Sequence, residues 1–279
     1  MVPSWTETLF ACGMNVVGRT RFCIHPDAVK KIPAVGGTKD INWQKVSDLS
    51  PDLLLLDREE NPKSMAEEAI CETFATDIKS VNDVAPALES LAARLLALSA
   101  PNSSGAGIIG TESGGVSSDQ IASENLRKLA LRWRKITAQP ARQIRDWNQL
   151  HGLHEWLHQP AGFPAVAERT QIAYLIWRNP WMAAAPGTFI ASVLERLGWP
   201  SANLWPGVEG VDGRSKYPEL QLESLPPETV LLFSSEPYPF FRHKETLKAL
   251  PFASALIDGE SLSWFGLRTL VFLEKSLGD

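Results

Sequence analysis

"INWQKVSDLSPDLLLLDREE", residues 41 to 60, is echoed by "YPELQLESLPPETVLLFSSE", residues 217 to 236. Laid end to end, the two stretches pair Leu49 with Leu225, Pro51 with Pro227 and Asp52 with Glu228. They also pair Leu55 and Leu56 with Leu231 and Leu232, and Glu60 with Glu236. Each reads as a short helix, a proline that stops it, a short apolar run, and a carboxylate just beyond. Proline stops a helix because it lacks the N–H and its ring clashes with the preceding turn. An unbroken apolar run of this length, bounded by turn residues, predicts a strand covered on both faces, as in a parallel sheet between helices.

The echo continues upstream. "LFACGMNVVG" (9 to 18) resembles "LERLGWPSANL" (194 to 204): a helix, a glycine to end it, then a short apolar strand. Ser4-Trp5-Thr6-Glu7 has the S-x-x-E spacing of a capping box at the first helix, and Gly13 is its expected C-terminal stop. Helices alternating with buried strands predict parallel α/β architecture. The chain therefore divides into two similar parallel-sheet α/β lobes. The expected bounds are residues 1–99 for the N-terminal lobe and 166–279 for the C-terminal one. In the second lobe the repeat begins with a strand, "IAYLIW" (172 to 177). The first lobe has no counterpart after Met1: either the start is truncated or this lobe does without that strand, and the repeat favours truncation.

Between the lobes, residues 100–119 are rich in glycine and serine and predict a flexible loop. Residues 120–165 are expected to be a helical connector, with Leu126, Leu129, Ala130 and Trp133 on one face, a break or kink at Pro140 and an end at Pro160. Its last part holds "HGLHEWLH" (151 to 158), within which His154-Glu155-Trp156-Leu157-His158 matches the H-E-x-x-H zinc-protease pattern. On a helix both imidazoles would share one face. A zinc enzyme needs a third protein ligand and an open position. Ala161 stands where the metzincin pattern needs glycine, and Pro160 and Pro164 separate the motif from Glu168. His151 would add a third imidazole for at most an adventitious surface site. The motif is read as coincidence.

The 279 residues are 44% hydrophobic and 21% charged, an ordinary soluble composition. A net charge of -5 opposes nucleic acid as a partner, since phosphate binding wants a basic face. No apolar run reaches the ~20 residues of a membrane span. No basic, apolar and small-residue sequence of a secretion signal is visible. Three cysteines, Cys12, Cys23 and Cys71, form no C-x-x-C and predict no disulfide framework. Ten tryptophans are an excess that suits a flat organic ligand as well as a core.

Ligands of parallel α/β lobes bind beyond the C-terminal ends of the strands. The loops expected there are 2–7, 19–26, 35–40 and 57–61 in the first lobe, and 177–182, 215–219, 234–243 and 258–264 in the second. They are rich in Trp, Tyr, Phe and Arg and carry no nucleophile elbow, Walker glycines or G-x-G-x-x-G. This is the profile of a binding cleft with aromatic walls. The candidate ligand-binding residues are Trp5, Arg21, Cys23, His25, Arg58, Glu59, Glu60, Trp177, Trp181, Tyr217, Glu236, Tyr238, Arg242 and Trp264. Cys23 and His25, with Glu59 or Glu60 beside them, also suggest a soft and incomplete metal site.

"VPSWTETLFACG", "VVGRTRFCIHP", "VGGTKDINWQKVSDLSPDLLLLDREEN", "YLIWRNPWM", "YPEL", "SSEPYPFFRH" and "IDGESLSWFG" together resemble the helical-backbone (class III) substrate-binding proteins of ABC importers, and among them the cobalamin-binding branch. The resemblance implies two α/β lobes bridged by a long backbone helix, with a ligand cleft between them. It implies a monomeric, non-enzymatic protein without a required cofactor, holding cobalamin or another metal chelate as the transported ligand. It places Trp5, the Arg58-Glu59-Glu60 loop, Tyr217 and Trp264 at the ligand. It implies an ABC permease as partner, docked through an exposed acid on each lobe. Glu223 matches that position in the second lobe, whereas Lys63, of opposite charge, stands in the first. Like charges facing each other across a docked surface are costly, so Glu59, Glu60 or Glu67 would have to substitute. The resemblance implies a periplasmic location; the lack of a visible signal makes the cytoplasm the alternative. The competing reading is a cytosolic metal-binding protein or enzyme on the same fold, using Cys23, His25 and Glu60.

Overall fold

The computed structural model describes residues 2–99, 117–142, 147, 152–161, 163, 171–199, 204 and 215–278. Most of the expected 100–119 loop lies outside them, as do His151 and Glu168. The chain forms two units: residues 1–78 with 82–135, and residues 79–81 with 136–279.

In the first unit the elements in order are α1 (Pro3–Ala11), β1 (Arg19–Thr20), β2 (Ala34–Gly36), α2 (Trp43–Leu49), β3 (Leu53–Asp57), α3 (Lys63–Glu67), β4 (Glu72–Thr76), α4 (Val81–Leu98) and α5 (Ser118–Ala138). The Ser4 capping box does not form: Val2 is the N-cap, no side chain caps the helix, and Pro3 takes the first helical position. Proline's fixed φ suits that position and its missing N–H costs nothing there, which moves the start two residues earlier than the S-x-x-E spacing suggests. Gly13 does end the helix, at φ +80°, a left-handed conformation that L side chains resist. The strands pair in parallel, β1 with β2 and β3 with β4, the latter in register from Leu53–Glu72 to Asp57–Thr76. In α5, Leu126, Leu129, Ala130 and Trp133 are buried as the periodicity predicts. Ser123 Oγ donates to the Ala92 carbonyl, and Arg134 holds Glu89, so α5 lies against α4.

The second unit holds β5 (Leu153–His158), β6 (Ile172–Trp177), β7 (Trp181–Ala183), α6 (Phe189–Arg196), β8 (Glu219–Leu220), β9 (Val230–Ser234), α7 (Lys244–Lys248), β10 (Ala253–Ile257), α8 (Gly259–Ser263) and α9 (Leu267–Leu277). Its sheet runs β5-β10-β9-β6-β7-β8. The centre is parallel, β6 with β9 and β9 with β10, whereas β5, β7 and β8 add antiparallel edges. Each of the central positions from Val230 to Phe233 is fully buried, as a strand covered on both faces requires.

The helical connector ends early. After α5 the residues expected to continue it, 153–158, form the edge strand β5 instead. Short apolar runs are ambiguous between helix and strand by periodicity alone, and pairing with β10 decides this one. H-E-W-L-H is thus extended, with Glu155 ion-paired to Lys244. No group of three or more His, Cys, Asp or Glu among the described residues could hold a metal ion.

The repeat is realised in both units. α2 leads through Pro51 into β3 and then Arg58–Glu60. A 3-10 turn at Leu222–Ser224 leads through Pro226 and Pro227 into β9 and then Glu236. Of the described helices none is long and apolar enough to cross a membrane.

Candidate functional site

In the second unit the C-terminal ends of β6, β9 and β10 carry Trp177, Ser234–Glu236 and Asp258–Ser263. Trp177, at the end of β6, is 40% exposed and meets Tyr238 edge to face, with ring centroids 5.5 Å apart. Tyr238 in turn packs on Phe240 at 4.7 Å and stacks on His243 at 5.3 Å, and its hydroxyl lies 3.1 Å from His243 Nε2. Trp181, on β7, lies parallel to Phe240 and half-buried on the core, with the Arg178 guanidinium 5.5 Å from its ring. Arg242 is exposed beside Phe241. Tyr217 is half-buried just before β8. The result is an aromatic rim, built on the core and open on its outer side, of the kind that receives a planar ligand by edge and face contacts.

An acidic cradle lies next to it. Glu236 Oε1 accepts a hydrogen bond from Ser263 Oγ at 2.8 Å. Burial pushes its carboxyl up to about 7, aided by the negative charges of Glu260 and Asp258 and opposed by the Ser263 hydrogen bond. Asp258 caps α8 through Ser261, and Glu260 is held by Arg268, whose guanidinium lies 4.9 Å over the Trp264 ring. Trp264 is 8% exposed, so the described unit presents little of its ring. Burial also raises the Tyr174 hydroxyl, which donates to Ser234 Oγ beneath the cradle. Gly259 lets β9 and α8 approach: a Cβ there would meet Ser234 Oγ at 2.2 Å and the Glu236 backbone nitrogen at 3.0 Å. Gly259→Ala should therefore cost about 1–3 kcal/mol by overpacking. A urea titration of the variant that superimposes on the wild-type curve would show that the loop has room to spare.

In the first unit the strand ends are more tightly tied down. Asp57, at the end of β3, is buried; Thr76 Oγ1 donates to it at 2.9 Å, and burial raises its carboxyl. Asn61 clamps the following turn, accepting from Asp57 N and donating to the Thr38 carbonyl. The turn presents Arg58 and Glu60 to solvent, with Glu59 half-buried. Trp5 is in the core, 1% exposed, its indole N–H donated to Thr76 Oγ1 at 2.9 Å. Arg21 forms a two-pronged pair with Asp40. Cys23 is buried, its Sγ 3.1 Å from Thr6 Oγ1 and 3.0 Å from Thr20 Oγ1, whereas His25 is half-exposed. The soft site of Cys23, His25 and Glu60 is not gathered, because the thiol faces two hydroxyls inward.

The structure thus gathers Trp177, Trp181 and Tyr238 on one rim through Phe240, with Glu236 and Arg242 close in the chain. Sequence reasoning missed Ser263, Arg268 and His243, polar partners whose roles depend on α8, α9 and the turn before α7 closing on β9. Part of the tryptophan surplus is core: Trp147 stacks on Trp199 at 5.4 Å and meets Trp156 at 5.7 Å inside the second unit.

No family profile and no curated protein matches the sequence. Solved structures do. The periplasmic vitamin B12 binding protein BtuF of Vibrio cholerae aligns over 100% of this chain and 93% of its own at 16% identity, with a TM-score of 0.57. The periplasmic heme-binding protein BhuT, in complex with two hemes, aligns over 98% and 93% at 18% identity, with a TM-score of 0.61. An ABC transporter substrate-binding protein from Listeria monocytogenes aligns over 99% and 95% at 13% identity, with a TM-score of 0.62. The chain has their fold. At these identities the likeness carries the architecture, which is the one expected from the repeat.

Proposed function

We propose that this is a non-enzymatic solute-binding protein for a planar metal chelate, a corrinoid first and haem second, delivering it to an ABC permease outside the cytoplasm. The observation that carries the reading is the rim of Trp177, Tyr238 and Trp181, set at strand ends where this fold presents its ligands. The ligands of the structural neighbours, vitamin B12 and heme, belong to one chemical class: wide, flat macrocycles with polar edges. Aromatic side chains meet the flat part, and Arg242 and Glu236 suit the edge. Permease docking is assigned to Glu223, exposed on its 3-10 turn. In the first unit Lys63 is ion-paired with Glu67, so the acid there is Glu59, Glu60 or Glu67.

The test is to incubate the purified protein with cyanocobalamin or with hemin, desalt it, and record the visible spectrum. Retention near one chelate per chain supports the reading, and the chelate retained names the ligand. Colourless protein from both incubations would overturn it. Trp177→Ala should weaken the retained chelate by about 1–3 kcal/mol, the size of a stacked anchor. Equal affinity in the variant would remove Trp177 from the site.

A further inference from the structure

Among the described residues of the second unit, three arginines lie on aromatic rings: Arg178 on Trp181 at 5.5 Å, Arg242 on Phe241 at 5.6 Å and Arg268 on Trp264 at 4.9 Å. Arg268 is paired with Glu260. Arg178 and Arg242 have neither an ion pair nor a side-chain hydrogen bond among the described residues. This is not for want of acids, since the chain carries 32 acidic against 27 basic side chains. The acids of the neighbouring cradle are engaged within it: Asp258 accepts from Ser261, Glu236 accepts from Ser263, and Glu260 holds Arg268. The lysines that follow the turn are engaged as well, Lys244 with Glu155 and Lys248 with Glu245. The two guanidiniums are the charge left over beside the aromatic rim.

Both are presented on short turns. Arg178 opens the turn Arg178-Asn179-Pro180 between β6 and β7, which pair antiparallel at Leu175–Ala183 and Trp177–Met182. Asn179 takes the left-handed conformation there, at φ +65°, which asparagine tolerates better than most residues. The turn folds Arg178 back over Trp181. Arg242 sits in the 3-10 turn Phe240–His243, between the exposed ring of Phe241 and His243, on which Tyr238 stacks. One guanidinium therefore stands beside Trp181 and the other in the turn that backs Tyr238, and Phe240 joins those two rings. A guanidinium resting on a ring is held by its face and keeps its fork of in-plane N–H donors for a carboxylate.

We propose that Arg178 and Arg242 form an anion clamp that reads the edge of the bound chelate, so that the preferred ligand is a planar macrocycle edged with carboxylates rather than with amides or esters. The inference rests on the chelate reading and narrows it: a corrinoid fits best with its side chains as free acids, and haem fits through its propionates. An amide edge also offers carbonyl acceptors, but without the charge that makes a hydrogen bond to a guanidinium roughly twice as strong. The aromatic rings accept any flat macrocycle, whereas the two forks discriminate among edges.

The experiment measures affinity by tryptophan quenching for two matched pairs: dicyanocobyrinic acid against its heptamethyl ester, and hemin against hemin dimethyl ester. For each macrocycle that binds, the acid should bind about tenfold tighter or more, as charge-assisted contacts at an exposed edge allow. The preference should shrink as salt is raised. In the Arg178→Gln, Arg242→Gln double variant the acid-to-ester ratio should fall to near one. Arg127→Gln, which removes an exposed charge from α5, should keep the ratio. Equal wild-type affinity for acid and ester would overturn the proposal, as would a ratio that survives the double variant or collapses in Arg127→Gln. If neither macrocycle binds, the chelate reading falls, and the clamp is read on a flat aromatic acid alone, pyrenecarboxylate against pyrenemethanol. A preference for that acid, lost in the double variant, supports the clamp, and the absence of a preference overturns it.

Discussion

Phe233→Ala is expected to lower the unfolding free energy by about 3–5 kcal/mol, the usual cost of removing a buried aromatic ring. Phe233 is fully buried in the middle of the sheet, paired across β9 with Leu175 on one side and Leu256 on the other. Its ring lies 5.0 Å from Phe240 and 6.1 Å from Trp181, so truncation leaves a void under both. The surroundings are strands on either flank and a 3-10 turn above, which cannot collapse far. Phe240 and Trp181 also support Tyr238 and the aromatic rim, so chelate affinity should fall in the same variant. Phe241, 51% exposed in the same turn, is the control, and its replacement by alanine should stay within about 0.5 kcal/mol. Urea unfolding followed by tryptophan fluorescence separates the two. A loss for Phe233→Ala below about 1.5 kcal/mol would mean that the rim is not seated on this ring.

The features legible in the sequence are those fixed by local chemistry. Pro51 and the Pro226-Pro227 pair must interrupt a helix, Leu54–Leu56 and Val230–Phe233 must be buried, and Gly13 must take a left-handed turn. These residues define the repeat, and the repeat defines the two α/β units. What could not be read was decided by partners distant in the chain. Residues 153–158 have no intrinsic reason to be a strand until β10 offers its edge. Trp5 sits in a loop-like N-terminal stretch of ligand-binding character, yet Thr76, seventy-one residues away, draws its indole inward. Arg21 looks available for an anionic edge, but Asp40 takes both its prongs. The candidate residues that the structure brings together, Trp177, Trp181 and Tyr238, lie at or near strand ends that the repeat locates.

Glu236 makes the second large effect, a dependence of stability on pH. In the folded protein its carboxyl is raised from about 4.5 to about 7 by burial. The native state therefore holds a proton that the unfolded chain releases, and stability must fall with rising pH over the interval between the two values. The contribution is complete below pH 4.5, declines from there to pH 7, and is absent above. At 1.36 kcal/mol per unit the ceiling is about 3 kcal/mol, lowered in practice because the side chain is only half-buried and water screens it. Burial sets the sign; of the groups facing it, Ser263 and Trp264 hydrogen-bond to it and oppose the shift, while Glu260 and Asp258 repel its charge and add to it, even with Arg268 holding Glu260. Glu236→Gln keeps the shape and removes the titration. Its stability should exceed wild type at pH 7.5 and approach it near pH 5, so the difference between the two proteins narrows on acidification. Measured by urea unfolding at four pH values, parallel profiles would show that Glu236 titrates as an ordinary surface carboxylate. A narrowing gap would instead show a carboxyl that stays protonated near neutrality, able to donate a hydrogen bond to the polar edge of a bound chelate and to lose that bond as the pH rises.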